Sequence, residues 1–526
     1  MPTFKLNDKE ITTEPGKNIL QAALENGIEI PHYCYHQSLT VVGSCRLCLV
    51  ELNNAPKLIP SCATTVQDGM DVKTDTDTVK EAIESMLEFF LINHPLDCPI
   101  CDKAGECDLQ DYTFKYGSSH SRMVEEKRVR PTKDLGGNIL LYRNRCVMCT
   151  RCVRFFEDIV GDPYLTIEHR GYETDISIFP GRGLTHKMTG NIVEICPVGC
   201  LIDKDFLFNS RVWNLTSTKS VCPGCSAGCN IDIQHKEEKI YRIQSRQNME
   251  VNEHWICDDG RYIYHRFEDL DRISYPMKKA RNKLNNTSWE EALSIIHDRL
   301  VLLKRSKETS KIAIVGSAFA TNEENYLLRK VFHEELGCKN FFVYNSQPQG
   351  EDIIYKSGFT IYADKSPNYR GAKLILGEKS DFWNEIKNGK IEVLYFLNGD
   401  IDLKLSDKQK DLLKKLDFLV IQDVAVSDLT MAADVVLPST YFAEQSGSYI
   451  NAKGQMQKIQ AAIKPSGDTH QGWQVLLDLY KMFNENSTMV TIGDVINDMV
   501  QEVEALKDVS FFKLGDYGMK LEKATA

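Results

Sequence analysis

The chain has 526 residues, 42% hydrophobic and 26% charged, which is too long for one ordinary core and divides into several globular modules. A net charge of −11 disfavours nucleic acid or an anionic membrane surface as partners, and no apolar run reaches the roughly 18 residues needed to span a bilayer. All but one of the seventeen cysteines crowd between Cys34 and Cys257, often at two- and three-residue gaps. Without a signal-peptide pattern at the N-terminus the chain reads as cytoplasmic, and disulfides give way to metal ligation as the default.

Residues 3–12 alternate apolar and polar around Asn7-Asp8, which predicts a β-hairpin, and 18–26 predicts a short helix stopped by Gly27. Together they open a small β-plus-helix ferredoxin module. The stripe Val79, Ala82, Ile83, Met86, Leu87 and Phe90 predicts a helix that delivers the chain to His94-Pro95, where the proline stops it. Residues 131–215 are rich in Gly, Arg and short apolar runs, and 219–260 carry more cysteines with a strand-like alternation at 230–234. Beyond Pro276 only Cys338 remains and the pattern becomes α/β. Ser288 and Glu291 make a capping box before a helix whose apolar face is Trp289, Ala292, Leu293, Ile296, Leu300 and Leu303. A strand at 311–316, a helix at 323–336 and strands at 393–397 and 418–422 then predict a doubly wound parallel sheet. Domain boundaries fall at 1–78, 79–130, 131–217, 218–275 and 276–526.

Four cysteine sets carry the chemistry. Cys34, Cys45, Cys48 and Cys62 are spaced as a looser relative of the plant-type [2Fe-2S] pattern, with a four-cysteine zinc site as the alternative. Cys98, Cys101 and Cys107 lack a fourth thiol. His94, four residues before Cys98, fills that place, and its neutral imidazole should raise the potential of a [4Fe-4S] cluster. Cys146, Cys149 and Cys152 with the distant Cys196-Pro197 form the bacterial [4Fe-4S] arrangement; Cys200 competes for the fourth corner but reads as a small buried hydrophobe. Cys222, Cys225, Cys229 and Cys257 suffice for a third [4Fe-4S] cluster, with a zinc ribbon still open, and Cys338 reads as core. Arg143, Arg145, Arg151, Arg154 and Arg182 could raise the potential of the third site, although half or more read as solvated. One [2Fe-2S] and three [4Fe-4S] clusters imply electron relay. There is no dinucleotide fingerprint or phosphate loop to suggest that a substrate binds here.

The succession of these sets, with Asn144-Arg145-Cys146-Val147-Met148-Cys149-Thr150-Arg151-Cys152-Val153-Arg154-Phe155 and Glu194-Ile195-Cys196-Pro197-Val198-Gly199, resembles the large iron-sulfur subunit of respiratory complex I over residues 1 to about 270. The resemblance implies an N-terminal β-grasp [2Fe-2S] domain, small [4Fe-4S] domains and a relay from a flavin-bearing partner toward quinone-side iron-sulfur subunits. NADH, FMN and quinone would bind on those partners. The chain would sit on the cytoplasmic side of the inner membrane, touching it only through them. The fourth set is similar to the extra cluster of some bacterial members, which would make it mainly structural. Farther on, Asp271-Arg272-Ile273, residues 288–292, residues 318–324, Val436-Leu437-Pro438 through Glu444-x2-Gly447, and Asn451-x2-Gly454-x2-Gln457 look like the molybdopterin oxidoreductase superfamily, here without molybdenum. The electron-transfer subunit of a hydrogenase or formate dehydrogenase, and a zinc-stapled scaffold, are the competing readings.

Overall fold

A computed structural model describes residues 1–521 except Asn54 and Asn282, and the chain divides into two units. The first comprises residues 1–215 with 355–359, the second residues 216–354 and 360–526.

The first unit begins with the expected hairpin, Thr3–Leu6 against Lys9–Thr12, turned by Asn7 and Asp8 at φ 51° and 68°. Both residues tolerate the left-handed conformation such a tight turn demands. The hairpin's first strand also runs parallel to Asp71–Lys73, and Leu49–Leu52 and Ile59–Pro60 complete a five-stranded sheet. Helix Ile19–Glu25 is capped reciprocally by Asn18 and Gln21, and its Ile19, Leu20, Ala22 and Ala23 close the core with Phe4, Leu6, Ile11 and Val72. Helix Asp77–Leu91 buries Val79, Ile83 and Leu87 as its stripe requires and packs against helix Asp108–Tyr116. The remainder is built from short pieces. These are the sheet of Leu201–Asp203, Ile139–Leu141 and Lys133–Gly136, the hairpin Leu165–Glu168 with Asp175–Ile178, and helical turns at Arg151–Arg154 and Asn191–Glu194.

The second unit opens with a three-stranded meander, Thr216–Val221, Asn230–Lys236 and Lys239–Ser245. Its centre is a seven-stranded sheet in the order Lys283–Asn286, Met277–Ala280, Val435–Pro438, Phe418–Asp423, Val393–Leu397, Ile312–Ser317, Phe341–Tyr344. The last five strands are parallel. Alternate residues feed two cores. Ile312, Ile314, Val393, Tyr395 and Val420 pack with helices Trp289–Arg305, Asn322–Lys330 and Gly472–Phe483, while Ala313, Val315, Leu394, Phe396 and Ile421 pack with the segment from Phe382 to Leu413. Both faces are covered, so the sheet is doubly wound as its apolar strands indicated.

Two local readings change. Ser288 accepts the Glu291 N–H, but the Glu291 carboxylate turns to Lys278 and Thr287 instead of returning to the cap, so only half of that box forms. The helix read from 323 starts at Asn322, where Thr321 and Glu324 do form a full box, and after Lys330 it widens into a π turn over Val331–Glu335. Cys338 is core, its thiol donating to the Ile312 carbonyl at 3.2 Å.

Candidate iron-sulfur sites

The first set converges in the loops that flank strand Leu49–Leu52. Cys34, Cys45, Cys48 and Cys62 are all buried, and their thiols form a chain of contacts in which Cys34 meets Cys45 and Cys62, and Cys62 meets Cys48. The Tyr33 N–H donates to the Cys45 Sγ at 3.4 Å, and the Ser61 N–H to the Cys48 carbonyl at 2.8 Å, tying both ends of the set to the backbone.

The second set follows helix Asp77–Leu91. Cys101 and Cys107 are buried, Cys98 is half-buried, and burial pushes the Cys107 thiol up to about 11. His94 is held neutral, its pKa lowered to about 4 by burial, and its Nδ1 is a buried nitrogen with no hydrogen-bond partner. Asp97 and Arg145 face both His94 and Cys101. A neutral imidazole with an unbonded ring nitrogen suits a metal ligand, and His94 shares its charged neighbours Asp97 and Arg145 with Cys101.

In the third set Met148 and Thr150 take φ of 49° and 59°, letting the loop coil tightly between Cys146 and Cys152. The loop and the Cys196 segment line one small cavity with Cys146, Cys149, Cys152, Cys196 and Cys200. Burial raises the Cys149 thiol to about 12 and Cys152 well above its ordinary range. Cys200 is buried, as the sequence reading expected, and lines the same cavity as the four other thiols, where it competes for the fourth corner.

The arginines around this set are mostly structural, contrary to the solvated reading. Arg145, Arg151 and Arg154 are 3%, 8% and 5% exposed. Arg143 pairs with buried Asp175 at 2.5 Å, and only Arg182 makes a surface pair, with Asp162. Arg154 donates to the carbonyls of Cys34 at 2.6 Å, Thr40 at 2.5 Å and Cys149 at 3.0 Å, so one guanidinium joins the backbones of the first and third sets. Arg151 spans the Tyr35 and Ile195 carbonyls at 2.6 and 3.1 Å. Arg145 holds Asp97 at 2.6 Å and the Gly199 carbonyl at 3.3 Å, the Asp108 N–H donates to the Pro197 carbonyl at 3.0 Å, and a methyl added to Gly199 would collide with the Cys101 Sγ. These bonds lock the second and third sets together. Tyr33 lies between the first and second sets, stacked on Tyr112 with its fully buried hydroxyl unpartnered and facing Cys107 and Cys45.

The fourth set belongs to the second unit. Cys222, Cys225, Cys229 and Cys257 are all buried, with Gly224 and Gly260 N–H groups each donating at 3.4 Å to the sulfurs of Cys222 and Cys257. The Asn451 and Gln457 amides grip the Ala227 and Gly228 carbonyls at 3.0 and 2.8 Å. Gly228, at φ +67°, leaves no room for a side chain against those two residues. Among the described residues no group of three or more His, Cys, Asp or Glu closes around a point as a single-ion site does.

Five family descriptions match the chain in order. They are a 2Fe-2S iron-sulfur cluster binding domain at 1–77, the NADH-ubiquinone oxidoreductase-G iron-sulfur binding region at 84–122, and the ferredoxin-like domain of NADH-quinone oxidoreductase subunit 3 at 136–202. A molybdopterin oxidoreductase Fe4S4 domain at 215–269 and molybdopterin oxidoreductase at 272–362 and 357–482 follow. Relatives include the G subunit of NADH-quinone oxidoreductase from Rickettsia felis, 40% identical across 65% of this chain and 50% of that protein. The 75 kDa subunit of NADH-ubiquinone oxidoreductase from Reclinomonas americana is 40% identical across 64% of this chain and 48% of that protein. Curated homologues of the chain are thus named as G or 75–78 kDa subunits of NADH-quinone or NADH-ubiquinone oxidoreductase. The mitochondrial 78 kDa subunit of Candida albicans is 29% identical over 94% of this chain and 85% of that protein. The chain spans about half the length of the rickettsial relatives it matches. Its modules are thus a [2Fe-2S] domain, [4Fe-4S] domains and a molybdopterin-oxidoreductase-type α/β region. Among the described residues no helix is long and apolar enough to cross a membrane.

Proposed function

We propose that this chain is the electron-relay subunit of a proton-translocating NADH:quinone oxidoreductase. It would hold one [2Fe-2S] cluster on Cys34, Cys45, Cys48 and Cys62, and [4Fe-4S] clusters on His94 with Cys98, Cys101 and Cys107, on Cys146, Cys149 and Cys152 with Cys196, and on Cys222, Cys225, Cys229 and Cys257. The donor sets suit these groups: each is largely or wholly buried and made of soft thiols, with one neutral imidazole in the second. When bound, the clusters supply one-electron carriers whose potentials depend on charge, hydrogen bonding and burial.

The observation that carries the reading is Arg154, whose guanidinium bonds the carbonyls of both Cys34 and Cys149. With the Arg145 and Asp108 bonds it fixes three sets in one connected unit, and electron tunnelling requires neighbouring carriers at fixed, short separation. The buried guanidiniums of Arg145, Arg151 and Arg154 also place positive charge beside the third set, favouring its reduced state, while burial excludes water. Electrons would enter from a flavin- and NADH-binding partner and leave toward quinone-side iron-sulfur subunits, with the chain peripheral to the cytoplasmic face of the membrane and meeting it only through partners. The fourth set would be mainly structural, and no molybdenum is expected.

Iron, acid-labile sulfide and zinc in anaerobically purified chain, with low-temperature EPR after dithionite reduction, test this. About 14 irons, no zinc, and both [2Fe-2S] and [4Fe-4S] signals are expected. Stoichiometric zinc with little iron would mark a zinc-stapled scaffold and overturn the reading.

A further inference from the structure

The third set has one sulfur more than a four-cornered cluster needs. Cys200 is 3% exposed and lines the same cavity as Cys146, Cys149, Cys152 and Cys196. Its thiol contacts those of Cys146 and Cys196, so it faces the fourth corner as well as the first. The backbone fixes it there. The Tyr142 N–H donates to the Cys200 carbonyl at 2.7 Å, and the next residues pair as strand Leu201–Asp203 with Ile139–Leu141. Cys196 is held on the other side by the Arg151 bond to Ile195 and the Asp108 bond to Pro197. One anchored turn therefore presents two buried thiols to one cavity.

Resting on the relay reading, we propose that Cys196 and Cys200 are interchangeable closing ligands of the third site. Cys146, Cys149 and Cys152 supply three corners, and either remaining thiol supplies the fourth. Whichever sulfur forms the iron bond gives its thiol proton to solvent, and the other stays a thiol. Exchange breaks one sulfur–iron bond, forms another and returns one proton to the departing sulfur; no electron is gained or lost.

The test uses full-length wild type, Cys196→Ala, Cys200→Ala and the double variant, purified anaerobically. Iron and sulfide per chain and the third-site EPR signal are read, with the first-site signal as a check that the unit has folded. Each single variant should keep wild-type iron and a third-site signal, and the double variant should lose about four irons per chain while keeping the first-site signal. Should alanine at 196 disturb the turn, Cys196→Val alone and combined with Cys200→Ala give the same contrast. Iron loss in the single variant at 196 equal to that in the double would overturn the inference and leave the relay standing. Wild type without iron in this site would overturn the relay itself, and the inference with it.

Discussion

The two units assemble their interiors by different means. In the second, strands such as Ile312–Ser317 and Val393–Leu397 are buried along their whole length and divide their side chains between two apolar cores. In the first, the stretch from Cys98 to Cys200 uses helical turns of four residues and guanidiniums that reach backbone carbonyls up to 120 residues away. Hydrophobic burial needs no cofactor, whereas thiols held in short loops gain part of their order from the metal they ligate. The difference predicts that the first unit depends on metal for its order and the second, outside its fourth thiol set, does not.

The largest effect should follow iron removal by oxidation and chelation. Hydrogen exchange should rise through residues 31–62 and 94–200 and stay slow in strands Ile312–Ser317, Val393–Leu397 and Phe418–Asp423. Equal loosening of the sheet would dissolve the contrast. Next, Arg154→Met strips the charged donor from three carbonyls, a loss on the order of 3 kcal/mol, and should deplete both first-site and third-site EPR signals. Arg182→Met, which removes an exposed pair, should change neither by a measurable amount. Depletion confined to one site would mean that Arg154 is not a shared strut. Gly199→Ala puts a methyl against Cys101 and should disturb the second-site signal more than the first. His94→Cys should leave the second cluster assembled and lower its midpoint potential, because a thiolate adds negative charge; an unchanged potential in a redox titration would remove His94 from the ligands.

The smallest effect concerns pH in the second unit. Glu323 is fully buried and its carboxyl is pushed up to about 7 from 4.5, against the Ser448 N–H and O–H that favour the charged form. The folded state therefore holds this proton more tightly than the unfolded one. Its contribution is fully present below about pH 4.5 and is lost as pH rises through about 7. Glu323→Gln should flatten that part of the decline in unfolding midpoint between about pH 5 and 8, and an unaltered slope would assign the decline to other groups.

Short-range signals made much of this legible in the sequence. The Asn7-Asp8 turn, the stripe from Val79 to Leu87 and the apolar strands are each a local pattern, and each is found where it was read. Arg154, by contrast, shares its loop with Arg151 and Arg145 but finds its partners at Cys34 and Thr40, more than 110 residues away, and no local spacing encodes that. The same holds for Asn451 and Gln457, which reach back to Ala227 and Gly228, and for the joining of residues 355–359 to the first unit. Cys200 did carry a signal, four residues past Cys196. Its proximity to Cys146 depends on the pairing of Leu201–Asp203 with Ile139–Leu141, which a single strand does not announce. At Ser288 the local rule overreached, because Lys278 and Thr287 compete for the Glu291 carboxylate.

On the proposed reading, the first and third sites, joined through Arg154, form one electronically connected unit. EPR power saturation of the first-site [2Fe-2S] signal, followed as the third site is reduced stepwise, tests it most directly. Relaxation of the first-site signal should quicken in step with reduction of the third site, as two paramagnets held close together require. A saturation curve indifferent to the state of the third site would contradict it.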